Sequence, residues 1–310
     1  MKKTITILTP TYNEVDNIDE LRSRISKVIK KISGYNFEHL FIDNASNDGT
    51  IDKLKQIAKK DKKVKIIINA RNFGPASSTF HGLVQVESDA CIHIASDLQD
   101  LPECIPDLIK KWEEGFKIVV LVKKESEEKR SMFFVRKLYY RFLTKVSETP
   151  PIENSTGNGL IDSDVIKILK GINDPLVFLR GLLVEIGFPI GKVYFKQPKR
   201  KKGSTGNSFY NLYELALVGI TNHSKVPIRI LSLIGFILSF LSFIIAVGHI
   251  FLKIFVWESY AIGMASMLIG LFFFGSIQML FLGLIGEYIA AIHSRVRDIP
   301  SVIESERINF

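Results

Sequence analysis

Two long stretches without a charged side chain, residues 230–252 and 260–286, constrain this chain more than any other sequence feature. Each is longer than the ~20 apolar residues that a helix needs to cross the hydrocarbon core of a bilayer. Residues 1–225, in contrast, have the mixed composition of a soluble domain. The sequence therefore predicts a soluble domain over residues 1–225, a two-helix membrane anchor over residues 226–293 and a tail over residues 294–310.

Basic residues flank both predicted spans on the same side of the membrane, whereas Lys253 is the single basic residue of the connecting loop. The positive-inside rule then places both termini and the soluble domain in the cytosol. The apolar run near the N-terminus is too short for a signal peptide. A net charge of +9 suits the anionic face of a plasma (bacterial inner) membrane, and no nucleic-acid-binding motif accompanies it, so we predict no nucleic-acid partner. The flanking cations are Lys225, Arg229, Arg295 and Arg297.

Strand and helix signals alternate along residues 4–122. This order predicts an α/β fold with a mostly parallel, Rossmann-like sheet, because parallel strands need helical crossovers. In such sheets ligands bind at the carboxyl ends of the strands. The predicted strands are residues 4–8, 40–42, 64–68, 91–95 and 117–122, and the predicted helices are residues 15–32, 51–58, 76–86 and 103–114.

Two further helices are predicted close to the membrane, over residues 131–146 and 207–220. The first has cations on one face and phenylalanines on another, a pattern typical of helices that lie in a membrane interface. A helix that packs on the sheet with a solvated basic face would show the same pattern.

The richest polar cluster, Asp97 to Asp100, follows a predicted buried strand. Asp97 and Gln99 offer oxygen ligands for a divalent cation, which could also bind a diphosphate. Asp100 has two readings: it joins this site, or it caps the next helix with Glu103 as its partner three residues on.

Three other polar segments complete the candidate site. Asp43 ends a strand, where an acid commonly binds a nucleotide. Arg71 is placed to contact a phosphate, and a surface salt bridge is the alternative. The basic segment over residues 197–205 suits a loop that closes on phosphate groups; a solvated turn or a lipid-headgroup contact would also explain it.

Taken in order, these motifs resemble glycosyltransferase family 2, and specifically its membrane-anchored polyprenyl-phosphate glycosyltransferases, the bacterial relatives of dolichyl-phosphate mannose synthase. The resemblance covers essentially the whole chain, and the order of the motifs makes it specific. The matching residues are Pro10 to Glu14, Asp43 to Thr50, Arg71 to Gly74, Asp97 to Asp100 with Pro102 and Glu103, Arg180 to Leu182, Gln197, Arg200, Gly203, and Gly286 to Tyr288.

The resemblance implies a GT-A fold and transfer of one sugar from a UDP- or GDP-sugar to a polyprenyl phosphate, with inversion. It implies Mg²⁺ or Mn²⁺ held by Asp97 and Gln99, and catalytic roles for Asp97, Asp100 and Arg200. The nucleotide-sugar site would comprise Pro10, Tyr12, Glu14, Asp43, Arg71 and Asp97, and the phosphate and diphosphate site Arg180, Gln197, Arg200 and Thr205.

The chain departs from the family pattern at three places. Ala95 stands where the family's metal motif has another Asp. Residues 157–160, Gly-Asn-Gly-Leu, stand where the family often has Asp-Phe-Arg-Leu, and Thr205 replaces a common Ser. These losses put metal affinity in question and leave two alternative functions open: a glycosyltransferase that acts on a saccharide or polymer, and a non-catalytic membrane scaffold. Glycines in the second span would also permit a homo-oligomer.

Overall fold

The structure is a computed structural model of the 310-residue chain. It divides into two compact units, one built from Met1–Thr144, Thr149–Glu214 and Asp298–Phe310 and the other from Lys145–Glu148 and Leu215–Arg297. The residues that the structure describes are 2–124, 152, 154–172, 179–196, 264–296, 300–310 and isolated positions between 233 and 244.

An eight-stranded sheet forms the centre of the first unit, with the strand order β7-β5-β6-β4-β1-β2-β3-β8. Strands β1 to β4 pair in parallel, as do β5 and β7, whereas β6 is antiparallel to β4 and β5, and β8 is antiparallel to β3. The strands are β1 Lys3–Thr11, β2 Tyr35–Asp43, β3 Val64–Asn69, β4 Ala90–His93, β5 Ile118–Lys123, β6 Ser155–Asp162, β7 Ile190–Phe195 and β8 Glu304–Ile308.

Helices cover both faces of this sheet and bury two separate apolar layers. On one face Ile5 and Ile92 of the sheet pack against Leu21 of α1 and Leu108 of α4. The opposite face packs against α3, α5 and α6. The helices of the first unit are α1 Ile18–Ile29, α2 Thr50–Lys60, α3 Pro75–Val84, α4 Ile105–Glu113, α5 Ser163–Lys170 and α6 Leu179–Glu185.

Close packing of α3 depends on a glycine. A Cβ atom at Gly82 would lie 2.9 Å from Leu8 Cδ1 and 3.0 Å from Ile42 Cγ2. The missing side chain lets the helix backbone sit directly over β1 and β2. Leu8 and Ile42 are fully buried there, and burying a side chain of this size stabilises the fold by roughly 1.5–3 kcal/mol.

The predicted strands and helices of residues 4–122 are all present, with boundaries shifted by a few residues. The prediction of a mostly parallel sheet is confirmed for β1 to β5, which all run in the same direction, and the sheet as a whole is mixed because β6 and β8 enter it antiparallel. Neither strand has the pattern of a buried parallel strand. Gly157 and Gly159 interrupt β6, and β8 reads Glu-Ser-Glu-Arg-Ile.

The predicted tail contributes one of these strands. Ile303 accepts a backbone hydrogen bond from Ala70 at 2.8 Å, and β8 then pairs with β3 from Glu304 onward. His81 of α3 lies 2.5 Å from Glu304, and Lys55 of α2 lies 2.6 Å from Glu306. The end of the chain is therefore an edge strand of the first unit rather than a free extension.

The second unit contains α7, Met264–Val296, a 33-residue helix. Its segment Phe273–Ala290 has a mean hydropathy of 1.5 and is the one segment of the described residues that is long and apolar enough to cross a membrane. Most of the first predicted span and both predicted interfacial helices lie outside the described residues. A Cβ placed at Gly270 or Gly283 would have no described atom of a neighbouring segment within 4 Å. The homo-oligomer that these glycines would permit stays a prediction.

Candidate active site

Three loops at the carboxyl ends of adjacent strands have an unusual backbone. Asn13 after β1, Ala45 after β2 and Leu98 after β4 have φ values of 56°, 61° and 61°. Residues other than glycine rarely adopt this left-handed conformation, and such strain concentrates at functional sites because the surrounding contacts must enforce it. Since β4, β1 and β2 are neighbours in the sheet, the three loops lie side by side at one edge of it, and we call the space that they border the crevice.

Asp43 fixes the relative position of the first two loops. Its carboxylate accepts hydrogen bonds from the Thr11 hydroxyl at 3.0 Å, the Ser46 hydroxyl at 2.7 Å and the Ser46 backbone N–H at 2.8 Å. The residue is 0% exposed, and this burial raises the pKa of the carboxyl despite the hydrogen bonds. In the structure Asp43 thus holds together the loops that follow β1 and β2. Its predicted contact with a nucleotide stays a prediction.

The loop after β1 is held by a second set of bonds. The Asn13 N–H donates to Ser46 Oγ at 2.9 Å, and the Glu14 N–H donates to Thr50 Oγ1 at 3.0 Å. Tyr12 directly precedes these anchor points, and 45% of its surface is exposed. Its ring is therefore exposed on a fixed backbone, two residues after the half-buried Pro10.

The loop after β3 is positioned by side-chain amides. Asn69 donates to Asn44 Oδ1 at 3.0 Å, and Asn44 donates to Asn72 Oδ1 at 2.8 Å. The exposed Arg71 stacks its guanidinium 4.0 Å from the centre of the Phe73 ring. Among the described residues Arg71 makes no ion pair, so the surface salt bridge considered as its alternative role is not formed there.

The loop after β4 separates the two candidate acids. Asp97 is half-buried, and its Oδ1 accepts the Gln99 N–H at 3.1 Å. Asp100 is 2% exposed and accepts hydrogen bonds from the Asn158 side-chain amide and, at 3.3 Å, from the Ala95 N–H. Burial raises the pKa of Asp100. Asp97 is thus the more accessible of the two carboxylates.

The alternative prediction, that Asp100 caps the helix that follows it, is wrong. The 3₁₀ turn Pro102–Cys104, which precedes α4, has no side-chain cap, and Glu103 instead pairs with Arg24 of α1 at 2.6 Å. The physical reason is tertiary: Asn158 in β6 binds the Asp100 carboxylate and draws it towards the sheet.

Arg180 of α6 lies against the backbone of β6. A Cβ atom at Gly157 would be 2.6 Å from Arg180 Nε, so the glycine makes room for the arginine side chain. Sequence reasoning noted the Gly-Asn-Gly segment as a departure from a family pattern. It missed the contacts of this segment, in which Asn158 binds Asp100 and Gly157 accommodates Arg180.

Sequence reasoning also missed His93, the last residue of β4. It is 9% exposed, and neither ring nitrogen has a hydrogen-bond partner among the described residues. Burial, with a smaller effect from the Arg180 charge, lowers the pKa of His93 to about 4. A histidine inside an apolar strand gives no periodic signal, so the pattern analysis passed over it.

The sequence of the crevice-forming region matches a known family. Residues 6–166 fit the family model described as glycosyl transferase family 2. The chain belongs to glycosyltransferase family 2. It is accordingly an enzyme that transfers a glycosyl group, built on an α/β fold of the GT-A type with a mixed sheet.

Relatives of this glycosyltransferase extend over nearly the whole chain. An uncharacterized glycosyltransferase of Bacillus subtilis (strain 168) is 32% identical over 302 residues, covering 96% of this chain and 92% of the relative. A prophage bactoprenol glucosyl transferase homolog of Escherichia coli (strain K12) is 31% identical over 301 residues, covering 96% and 97%. The solved structure of mannosyl-3-phosphoglycerate synthase from Rubrobacter xylanophilus has a similar fold, with a TM-score of 0.51, 14% identity and 75% of each chain covered.

The glycosyltransferase has few metal-ligating groups in this region. The described residues contain no group of three or more His, Cys, Asp or Glu side chains placed to hold a metal ion. Asp97 and Gln99 lie in the loop after β4, where the Asp97 carboxylate accepts the Gln99 N–H, and their role as metal ligands stays a prediction. Gln197, Arg200 and Thr205, which were predicted to bind phosphate groups, lie outside the described residues.

Proposed function

We propose that this enzyme transfers one sugar from a nucleotide-sugar donor to a polyprenyl phosphate at the cytosolic face of the plasma (bacterial inner) membrane. The observation that carries the proposal is the combination, in one chain, of a strand-end crevice and a charge-free helix segment long enough to cross a bilayer. It is supported by the bactoprenol glucosyl transferases of Shigella flexneri and Shigella phage SfII, each 30% identical over 96% of this chain.

The donor would bind across the loops that follow β1, β3 and β4. Tyr12 offers an exposed aromatic face, and Arg71 offers a cation on a loop fixed by amide hydrogen bonds. Glu14, on the anchored loop after β1, would bind the polar groups of the nucleotide. Preorganised groups of this kind hold a donor without reorganisation during the reaction.

We assign the binding of the donor diphosphate to Asp97 and the neighbouring Gln99, through a divalent cation. Mg²⁺ is commonly held by one or two carboxylates together with substrate phosphates, and Asp97, the more accessible of the two carboxylates in this loop, fits that arrangement better than an all-protein cage. When bound, Mg²⁺ or Mn²⁺ would neutralise charge on the departing diphosphate. Asp100, held by Asn158 and the Ala95 N–H, would keep the loop in position.

The acceptor would explain why the chain tolerates Gly157 in place of an acid. A phosphate monoester has a second pKa near ~6 and is largely dianionic at neutral pH, so it attacks without a general base. It needs alignment with the anomeric carbon, with inversion following from direct displacement. Arg180 is the described cation closest to this segment, and Gln197, Arg200 and Thr205 are proposed to assist it.

Membrane topology is testable by reporter fusions. The cations that flank the predicted spans favour a cytosolic N-terminus and C-terminus. A reporter fused at Phe310 should report the cytosol, and one inserted at residues 255–260 should report the exterior. The reverse pattern would separate the crevice from cytosolic nucleotide sugars and contradict the proposal.

The direct test incubates the pure protein with undecaprenyl phosphate and a panel of radiolabelled UDP- and GDP-sugars. We expect one donor to label the lipid with a single sugar residue. Label in a longer saccharide would indicate a polymer-directed enzyme instead. No transfer from any donor, with the folded protein confirmed by its unfolding temperature, would favour the scaffold.

A further inference from the structure

Within the part of the chain that the structure describes, His93 is a buried polar side chain without a hydrogen-bond partner. Both of its ring nitrogens are shielded from solvent, and neither bonds to a described residue. Asn69 Oδ1 is the other side-chain atom in this state among the described residues. Native proteins rarely leave such groups unpaired, because desolvation without a replacement bond costs free energy. An imidazole retained in this state indicates a partner that arrives with a ligand.

The register of the sheet places His93 beside bare backbone. It lies opposite Gly159 of β6, on the sheet face that α5 and α6 cover. Gly157 shares that face, because residues two apart in a strand point the same way. β6 therefore offers no side chain to cover or satisfy the imidazole at these two positions.

Arg180 supplies a positive charge at this gap. Its side chain lies over Gly157, and its charge is close enough to act on His93. A cation and a neutral N–H donor that flank bare strand backbone form a site for an anion. A phosphoryl group fits best, because its oxygens accept charge-assisted hydrogen bonds from both. Asp97 lies four residues beyond His93, so the gap belongs to the same end of the sheet as the crevice.

We propose that His93 and Arg180 together bind a phosphoryl group, with the neutral imidazole donating its N–H to one oxygen and Arg180 providing the charge. The inference rests on the proposed function for its two candidate sources, the polyprenyl phosphate and the nucleotide diphosphate. His93 is then a positioning and specificity residue that sequence patterns do not reveal.

The test measures binding rather than turnover. Farnesyl phosphate and UDP are titrated calorimetrically into the full-length protein in detergent, for the wild type, His93→Leu and His93→Gln. Loss of the N–H in His93→Leu should lower the affinity for one or both ligands roughly 10-fold, about 1.4 kcal/mol. His93→Gln keeps an N–H donor and should stay within about 3-fold of the wild type. The ligand that weakens identifies the source of the phosphoryl group.

Thermal unfolding without ligand separates this role from a structural one. His93→Leu should unfold at the wild-type temperature or above it, because an unsatisfied polar group has been removed. His39→Leu serves as the matched control, since His39 is equally buried but fully hydrogen-bonded; it should lower the unfolding temperature and leave both affinities unchanged.

Three results would overturn the inference: a His93→Leu protein that binds both phosphates as well as the wild type, one that fails to fold, or a wild type that binds neither. Failure of the proposed function gives a different result. In that case at least one of the two phosphates binds through His93, yet no nucleotide sugar supports transfer to the lipid.

Discussion

Two buried histidines on strands that flank β1 show how differently the two regions of the sheet are completed. His39 in β2 is bonded on both ring nitrogens, to Thr9 Oγ1 at 3.0 Å and to Arg22 Nη1 at 3.1 Å, and Arg22 in turn pairs with Asp61. His93 in β4 is similarly buried and has no hydrogen-bond partner in the ranges that the structure describes. In the first region, around His39 in β2, folding alone supplies the hydrogen bonds of the histidine ring. In the second region, around His93 in β4, we propose that a ligand supplies them. Substitutions in the first region should therefore change stability, and those in the second should change binding and activity.

The largest effect should come from Asp97, on the ligand side of this comparison. Asp97→Asn should reduce turnover at least ~10²-fold, the scale of losing one group that stabilises transition-state charge. The unfolding temperature should hardly change, because the half-buried side chain is bonded, among the described residues, only to the neighbouring Gln99 N–H. Steady-state transfer kinetics and a thermal melt measure the two quantities. Unchanged turnover that also survives EDTA would remove Asp97 and the cation from the mechanism.

His39 should give the opposite result. His39→Leu leaves the Thr9 hydroxyl buried without its partner and removes one contact of Arg22, so the free energy of unfolding should fall by about 1–3 kcal/mol. The KM values for donor and lipid should stay at the wild-type level. A variant of normal stability but altered KM would show that the two regions are not functionally separate.

The pH dependence of stability should report both histidines. Burial, with a contribution from Arg22, holds the pKa of His39 well below its usual range, and burial with Arg180 lowers the pKa of His93 to about 4. Both rings therefore stay neutral in the fold, while the unfolded chain binds protons below about pH 6.5. Stability is complete above that pH and is lost as the pH falls towards the folded pKa values.

Each histidine should contribute about 1.4 kcal/mol per pH unit to this loss. Chemical denaturation between about pH 6 and pH 5 should show a slope that His93→Leu reduces by one histidine's share. An unaltered slope would mean that His93 exchanges protons with solvent in the folded state, and its burial would no longer distinguish a ligand site.

The smallest effect sets the baseline for both regions. Lys111 and Glu114 form a half-exposed ion pair at 2.6 Å on α4, away from either histidine. Lys111→Ala should change the free energy of unfolding by less than about 0.5 kcal/mol and leave turnover unchanged, because exposed pairs contribute little. A larger loss would show that surface charge affects the other comparisons and must be matched in every variant.

The sequence by itself determined the elements that depend on local pattern. Apolar periodicity predicts the strands and helices of residues 4–122, and polar residues after successive strands locate the crevice, because parallel strands direct their carboxyl ends to one edge. The charge-free stretch after residue 260 likewise predicts α7, since its length and composition need no tertiary information.

Only the tertiary structure decided which strand pairs with which and which polar groups meet. β8 joins β3 across more than 200 residues, and Asn158 reaches Asp100 across 58. The hydrogen bond from Asn158 to Asp100 replaces the helix cap that the local sequence indicates at Asp100. The pairing of β6 with β4 places His93 opposite Gly159, which has no side chain to bond the imidazole. Contacts of this kind follow from the register between strands that are far apart in the sequence. A short sequence window does not contain both partners, so its pattern does not predict them.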